Sequence, residues 1–302
     1  MENNKFSKTS KTLVIGDFDI LFSRACSNVC NDAKIPYSGM AFYQPKGFSV
    51  DFQFKISDVE PDDSGKLIFG SNDFVNPVHL YKRDTGYYDW IVKATDRKKA
   101  KGLISFRISS EWEEFVLYQD ETNTYGERAF HEFGSLFSYA VLNHHACVLH
   151  GVVMEYEGKG ILVTAPSGTG KTTHTRMWRD HKNALIINGD RCLCRKMGGR
   201  WYAYGMPWSG SSGEYINRKV PISCIVSLKR GDTNHAEPMS VFDGTIYLMQ
   251  RIFAPVWQGD LQTKGFDLCE ELASEIPMLE FFCRPELESV EVLERAVMQY
   301  GL

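Results

Sequence analysis

No apolar run in this chain reaches the roughly 18 residues that a membrane-spanning helix needs. The segment from Met1 to Lys11 is polar and lacks the apolar core of a secretory leader, so the expected compartment is the cytoplasm. Positive charge is not in excess. The 34 Lys and Arg face 38 Asp and Glu, for a formal net charge of -4. That balance removes the global basic field expected of a nucleic-acid binder. Cysteine occurs eight times but never as two pairs at zinc-finger spacing. Cys26 and Cys30 stand four apart and Cys192 and Cys194 two apart, and buried cytosolic thiols are the plain expectation for them. Cys192 and Cys194 follow a candidate site residue, which raises the question of reactivity. There is no internal repeat and no low-complexity segment.

What remains is an ordinary globular composition, 43% hydrophobic and 24% charged, in 302 residues. The pattern divides it in two. Residues 1–123 read as a β-rich domain. Phe48, Val50, Phe52, Phe54 and Ile56 alternate with polar residues, and Thr12–Phe22, His79–Ala94 and Gly102–Trp112 read as further strands. Asp84-Thr-Gly86 fits a hairpin tip, and short turns throughout predict an antiparallel sheet. Nothing here carries chemistry; it is a structural module or one that grips an acceptor. Residues 124–302 form the second part. Phe130, Phe133, Phe137 and Val141 make one apolar stripe on a bridging helix over 126–142. Strands and helices then alternate: strands at Ala146–Tyr156, Ile161–Ala165, Ala184–Asn188 and Pro221–Leu228, helices at Lys171–His181, 239–257, 265–275 and Leu287–Tyr300, and a last strand at Pro277–Phe282. This predicts an α/β domain with a mixed sheet.

The strongest signal is Ala165-Pro-Ser167-Gly168-Thr169-Gly170-Lys171-Thr172-Thr173, set between an apolar strand and a helix. It has the layout of a phosphate-binding P-loop. Backbone N–H groups of such a loop cradle phosphate oxygens, Lys171 adds a mobile charge, the Thr172 hydroxyl suits Mg²⁺, and the helix N-terminus favours the anion. Ala165 stands where the usual pattern has Gly, and Pro166 removes one N–H. A ligand-free Gly-rich turn is the plain alternative. Asp190 ends the strand Leu185-Ile-Ile187 and is read as a Mg²⁺ ligand, a general base, or both, against a simple turn Asp. The turn Glu157-Gly-Lys-Gly160 lays the strand carrying His150 beside the P-loop strand. A second Gly/Ser loop, Gly205-Met-Pro-Trp208-Ser209-Gly210-Ser-Ser-Gly213, reads as a lid over substrate or as a plain surface loop. Arg191, Arg218, Arg251 and Arg284 are unranked candidates for the transition-state cation.

In this order, His150-Gly, the loop through Lys171-Thr172, and Asn-Gly-Asp190-Arg191 resemble the catalytic domain of the HPr kinase/phosphorylase family, over roughly residues 145–302. That P-loop subclass includes phosphoenolpyruvate carboxykinases. Gly-Met-Pro-Trp208-Ser209-Gly210 and Val220-Pro-Ile are similar to a branch in which some members phosphorylate a peptide Ser in natural-product pathways. The resemblance implies an HPr-kinase-like fold, with Lys171 on the phosphates, Thr172 on the metal, and His150 near metal and acceptor. Asp190 matches the second of two family Asp residues. Gly189 stands where the first would be, so phosphorylase activity does not follow. Oligomers are common in the family.

The expected function is a Mg²⁺/ATP-dependent kinase acting on a hydroxyl, foremost a Ser of a peptide or protein, with neither nucleic acid nor membrane as partner. A kinase of a serine-like metabolite shares the site and differs in acceptor. A non-catalytic nucleotide sensor is the reading from another class. A decarboxylating carboxykinase fits less well, because no arginine and lysine set for a dicarboxylate stands out.

Overall fold

The computed structural model describes residues 11–22, 42–43, 50–57, 59, 61, 64–71, 77–92, 104–118 and 126–300. It divides into two units, Met1–Gly134 and Ser135–Leu302. Cys26, Cys30, Phe48, Ala94 and Gly102 lie outside the described residues.

The first unit is one sheet. Its described strands are β1 (Lys11–Ile15), β2 (Phe18–Phe22), β3 (Phe42–Tyr43), β4 (Phe52–Ser57), β5 (Lys66–Gly70), β6 (Val78–Lys82), β7 (Tyr88–Val92), β8 (Ile104–Ile108) and β9 (Glu114–Tyr118), in the order β3-β1-β2-β4-β9-β8-β7-β6-β5. Two expectations need correcting. Thr12–Phe22 is a hairpin rather than one strand: Gly16 and Asp17 both take positive φ (63° and 59°), the conformation of a two-residue primed turn. The sheet is also mixed, because β4 runs parallel to both its neighbours, β2 and β9. Alternation fixes which face a side chain takes, not which way the strand runs, and the long stretches 23–51 and 58–113 leave room for the crossovers that parallel pairing requires. The alternating residues bury an aromatic cluster. Phe54 meets Phe106 and Phe133 edge-on, at centroid distances of 6.0 and 4.9 Å, and stacks on Phe22 at 5.0 Å. Asp89 is fully buried and is tolerated there because Arg107 Nε (2.9 Å) and Arg83 both bond its carboxylate.

Helix α1 (Gly126–Ala140) is followed by a 3-10 turn over Val141–His144. The second unit then contains β10 (Ala146–His150), β11 (Val152–Tyr156), β12 (Lys159–Thr164), α2 (Lys171–Lys182), β13 (Leu185–Asn188), β14 (Arg191–Met197), β15 (Arg200–Tyr204), β16 (Lys219–Arg230), β17 (His235–Pro238), α3 (Val241–Met249), α4 (Gly259–Glu275), β18 (Met278–Cys283) and α5 (Leu287–Tyr300). The sheet is mixed, as the pattern predicts. β12, β16 and β18 run parallel, so their C-terminal ends share one edge. β11 pairs antiparallel with both β12 and β13. On one face Ile161, Val163, Val226, Leu279 and Phe281 pack with Trp178 of α2 and Val290 and Leu293 of α5. Each such side chain contributes about 1.5–3 kcal/mol by leaving water.

The helix expected over 239–257 stops at Met249, and its successor starts at Gly259 rather than residue 265. Pro255 cannot continue a helix. Residues 251–253 pair instead with the edge of β10, through His150 N–H to Arg251 O (2.8 Å) and Phe253 N–H to Val148 O (2.9 Å). Gly265 sits inside α4 because a Cβ there would approach Ala254 and Ile252 to 3.2 Å. The thiols of Cys147, Cys192 and Cys194 are buried core groups, and a hydrogen bond with Cys194 together with burial pushes the Cys147 thiol well up. No helix among the described residues is long and apolar enough to cross a membrane.

His174 of α2 is the buried titratable group this packing creates. Trp178 Nε1 donates to its Nε2 (3.1 Å), its Nδ1 faces Ser289 Oγ (3.3 Å), and Ser289 Oγ donates to Glu286 O (2.6 Å). That chain fits only a neutral imidazole carrying its proton on Nδ1. Burial lowers its pKa from 6.5 to about 4. The unfolded chain takes up this proton as pH falls through 6.5, and the folded chain does not until about 4, so acid favours unfolding across that window. The expected cost at full protonation is about 3 kcal/mol. Urea unfolding at pH 7 and pH 4 checks it: the wild type should lose more stability between the two than His174→Gln, and equal losses would refute the assignment.

Candidate phosphate-binding site

The C-terminal end of β12 leads into the loop Ala165–Gly170 and then α2. Two conformations make the loop. Gly168 and Gly170 take φ of 76° and 121°, where a side chain costs about 1–2 kcal/mol. Thr169 closes the turn on Pro166 O with its N–H (3.3 Å) and Oγ1 (2.9 Å). Arg230, at the end of β16, donates to Gly168 O (2.6 Å) and Thr169 O (3.4 Å), turning those carbonyls toward itself.

Lys171 is buried at the base of the loop, and its Nζ donates to Ala165 O (2.7 Å). It also lies 3.2 Å from His150 Nε2. The other ring nitrogen, His150 Nδ1, is 3.4 Å from Asp190 Oδ1. An ammonium can only donate, so Nε2 accepts from Lys171 and Nδ1–H is aimed at the carboxylate. Burial, and then the Lys171 charge, lower the His150 pKa below its ordinary 6.5 against the opposing pull of Asp190, which keeps the ring neutral at pH 7. Burial likewise lowers Lys171. Lys171, His150 and Asp190 thus form one line of contacts along the rim of the loop.

Asp190 is placed by a side chain that the pattern quoted without a role. Asn188, fully buried, accepts from Asp190 N–H (2.9 Å) and Arg191 N–H (2.8 Å) through Oδ1. Through Nδ2 it donates to Met206 O (2.8 Å) and Trp208 O (3.3 Å). One amide therefore fixes both the turn holding Asp190 and the root of the second Gly/Ser loop. An Asn that ends an apolar strand beside Gly-Asp is an Asx-turn signal.

That second loop lies against the site. A cleft of about 340 Å³ is lined by His150, Lys171, Thr172 and Asp190 together with Ser209, Ser211 and Ser212 of that loop. Ser167, Gly168, Gly170 and Thr173 also line it. Gly210 (φ 56°) touches Asp190 so closely that a Cβ would stand 2.8 Å from the carboxylate carbon. Trp208 departs from its expected role on a substrate loop: its indole is buried and packs on Phe137 (5.9 Å), so the serines, not the ring, reach the cleft.

The four arginines separate. Arg191 lies near Asp190 (Nε to Oδ2 3.9 Å) with its guanidinium over Phe253, and Arg251 sits over Tyr247 at 4.8 Å beside His150. Arg218 is held by Glu155 (Nη2 to Oε1 2.6 Å) and does not line the cleft. Arg284 lies on the far flank of the loop. Arg230 was not among the expected residues, although Lys229-Arg230 closing an apolar strand places a cation at the loop-bearing edge.

Among the described residues no group of three or more His, Cys, Asp or Glu is arranged to hold a metal ion. Mg²⁺ does not need one: it takes one or two protein oxygens and completes its shell with phosphate oxygens and water. The Thr172 hydroxyl and the Asp190 carboxylate, two of the residues lining the cleft, are hard oxygens of that kind.

No family model matches the chain, and no curated protein matches it. Among solved structures, the HPr(Ser) kinase/phosphatase from Coxiella burnetii is similar over 50% of this chain and 92% of its own, at 9% sequence identity and a TM-score of 0.31. A likeness of that strength assigns neither fold nor chemistry.

Gly189 leaves no room for a side chain: a Cβ there would lie 2.1 Å from Ser212 Oγ. Gly189→Ala should cost about 1–3 kcal/mol through overpacking. Denaturant titration of Gly189→Ala, Ser212→Gly and the double variant checks this; the double variant should be more stable than the sum of the singles predicts, and simple additivity would contradict the clash.

Proposed function

We propose that this protein is an ATP-dependent phosphotransferase that moves the γ-phosphate onto a hydroxyl, foremost a serine of a peptide or protein. The observation that carries the reading is the line Lys171–His150–Asp190 on the rim of a loop whose Gly168 and Gly170 both take positive φ. An ammonium, a neutral imidazole and a carboxylate in series supply charge compensation, orientation and a base within one cleft.

In this reading the loop N–H groups and Lys171 hold the β- and γ-phosphates. Asp190 accepts the proton of the acceptor hydroxyl as its oxygen attacks the γ-phosphorus. The bond from that phosphorus to the bridging oxygen breaks, and ADP leaves. His150 donates Nδ1–H to Asp190 and fixes the carboxylate. Thr172 and Asp190 would hold Mg²⁺, which supplies charge neutralisation on the phosphates when bound. Catalysis is chiefly positioning and electrostatics.

One observation favours a second reading. The serine loop over the cleft leaves about 340 Å³, a volume that suits a small hydroxyl metabolite as acceptor. The two readings share residues and differ in where the phosphate goes.

The test uses the full chain with γ-labelled ATP, Mg²⁺ and a desalted lysate supplemented with metabolites. Acid-stable label in a protein or peptide supports the first reading, and label only in small molecules supports the second. Lys171→Ala should lower transfer at least about 100-fold with weakened nucleotide binding, and Asp190→Asn should lower it similarly with binding kept. Undiminished transfer in either variant would refute the site. Nucleotide bound with no transfer to any fraction would turn the reading toward a nucleotide sensor.

A further inference from the structure

The phosphate loop has a second flank. Opposite the cleft that holds Asp190, a pocket of about 460 Å³ opens where β16 and β18 end. That size is within the roughly 300–1,000 Å³ of small-ligand sites. Gly168, Gly170 and Thr173 line both hollows, so one extended ligand crossing the loop reaches both. Sites of open α/β sheets lie beyond the C-terminal ends of parallel strands, and this edge is made by three of them.

The chemistry of the two hollows is opposite. The first is lined by charged and hydroxyl groups. The second is walled by Met177 from α2, Leu228 from β16, and Cys283 and Pro285 at the end of β18. Burial pushes the Cys283 thiol up to about 11, so it is uncharged at neutral pH and serves as apolar wall. His174 at the base is engaged by Trp178 and Ser289. Arg230 is engaged by the loop carbonyls Gly168 O and Thr169 O. Arg284 is the remaining charged residue of the lining, and no carboxylate is present there.

We propose that this pocket takes the base of the nucleotide, sandwiched among Met177, Leu228, Cys283 and Pro285. The inference rests on the phosphotransferase reading and adds what the loop motif cannot carry. A flat, apolar-faced ring joined to a phosphate chain matches an apolar slot joined to a phosphate cradle.

Equilibrium binding of MgATP and Mg-tripolyphosphate to the full chain tests it, alongside Met177→Glu, Pro285→Glu and Lys171→Ala, each first checked for folding by thermal unfolding. The wild type should bind ATP at least about tenfold tighter than tripolyphosphate. Either Glu variant should bring ATP down to the tripolyphosphate level and leave tripolyphosphate unchanged. Lys171→Ala should weaken both. Equal wild-type binding of ATP and tripolyphosphate, or an ATP advantage that survives in both Glu variants, would overturn the pocket. If tripolyphosphate binds and ATP gains nothing over it, the pocket falls and the phosphate loop stands. If no phosphate compound binds, both fall.

Discussion

The hydrogen bond from Gly151 N–H to Asp190 O, at 2.9 Å, is the contact on which the site depends. Residues 146–156 and 185–197 form one long antiparallel ribbon: His150 faces Arg191 on one side of this bond and Val153 faces Asn188 on the other. Both chains bend there. Gly151 permits the bend, since a Cβ would press on Leu162 and on Val163 O at 3.0 Å. The bend lets β11 lie beside the loop-bearing strand β12 while β10 stays with β14. His150 and Asp190 come from opposite strands of the ribbon at that point, so their side chains meet above the loop and not in the core.

Around that bend the polar groups support one another electrostatically. Lys171 is a buried cation whose nearest acceptors are a carbonyl and a neutral imidazole, and the imidazole passes its remaining donor to Asp190. Each member makes the next less costly to bury. Asn188 ties this line to the serine loop, bonding Met206 O and Trp208 O with its amide nitrogen and the N–H groups of Asp190 and Arg191 with its oxygen. Ser212 occupies the volume a side chain at 189 would need. The strand end therefore holds one carboxylate, Asp190, with the Ser212 hydroxyl beside it at Gly189.

Much of this was legible in the chain. The loop and its flanking strand and helix are written in local chemistry, because positive φ demands glycine and apolar runs demand burial. The strand expected over Ala146–Tyr156 is two: the hairpin turn at Glu157-Gly158 lays only β11 beside β12, while His150 sits on β10, paired with β14, and meets Lys171 because the chain bends at Gly151. What was not legible is non-local. The direction of β4 depends on two partners far away in sequence, and the true extent of α3 depends on β10 competing for residues 251–253. Trp208 reads as a loop residue by its Gly/Ser neighbours but is core because Phe137 lies beneath it. Arg230 has no motif around it; only the pairing of β12 with β16 brings it to Gly168.

The same geometry accounts for the two departures from the common loop pattern. Ala165 has ordinary negative φ, is fully buried among Trp178 and the sheet residues, and uses its carbonyl to hold Lys171. A glycine there would gain no conformational freedom that the loop uses, and it would lose a buried methyl. Pro166 lacks an N–H, but its carbonyl takes both Thr169 contacts. The positions that need an open backbone are Gly168 and Gly170, where nothing stands within 4 Å of a would-be Cβ and only the dihedral angle excludes a side chain. The loop's constraints on backbone dihedral thus fall at its tip and at its entry to α2, where two hollows of opposite character meet, and they relax at its root, where the requirements are a packed methyl and two carbonyl acceptors.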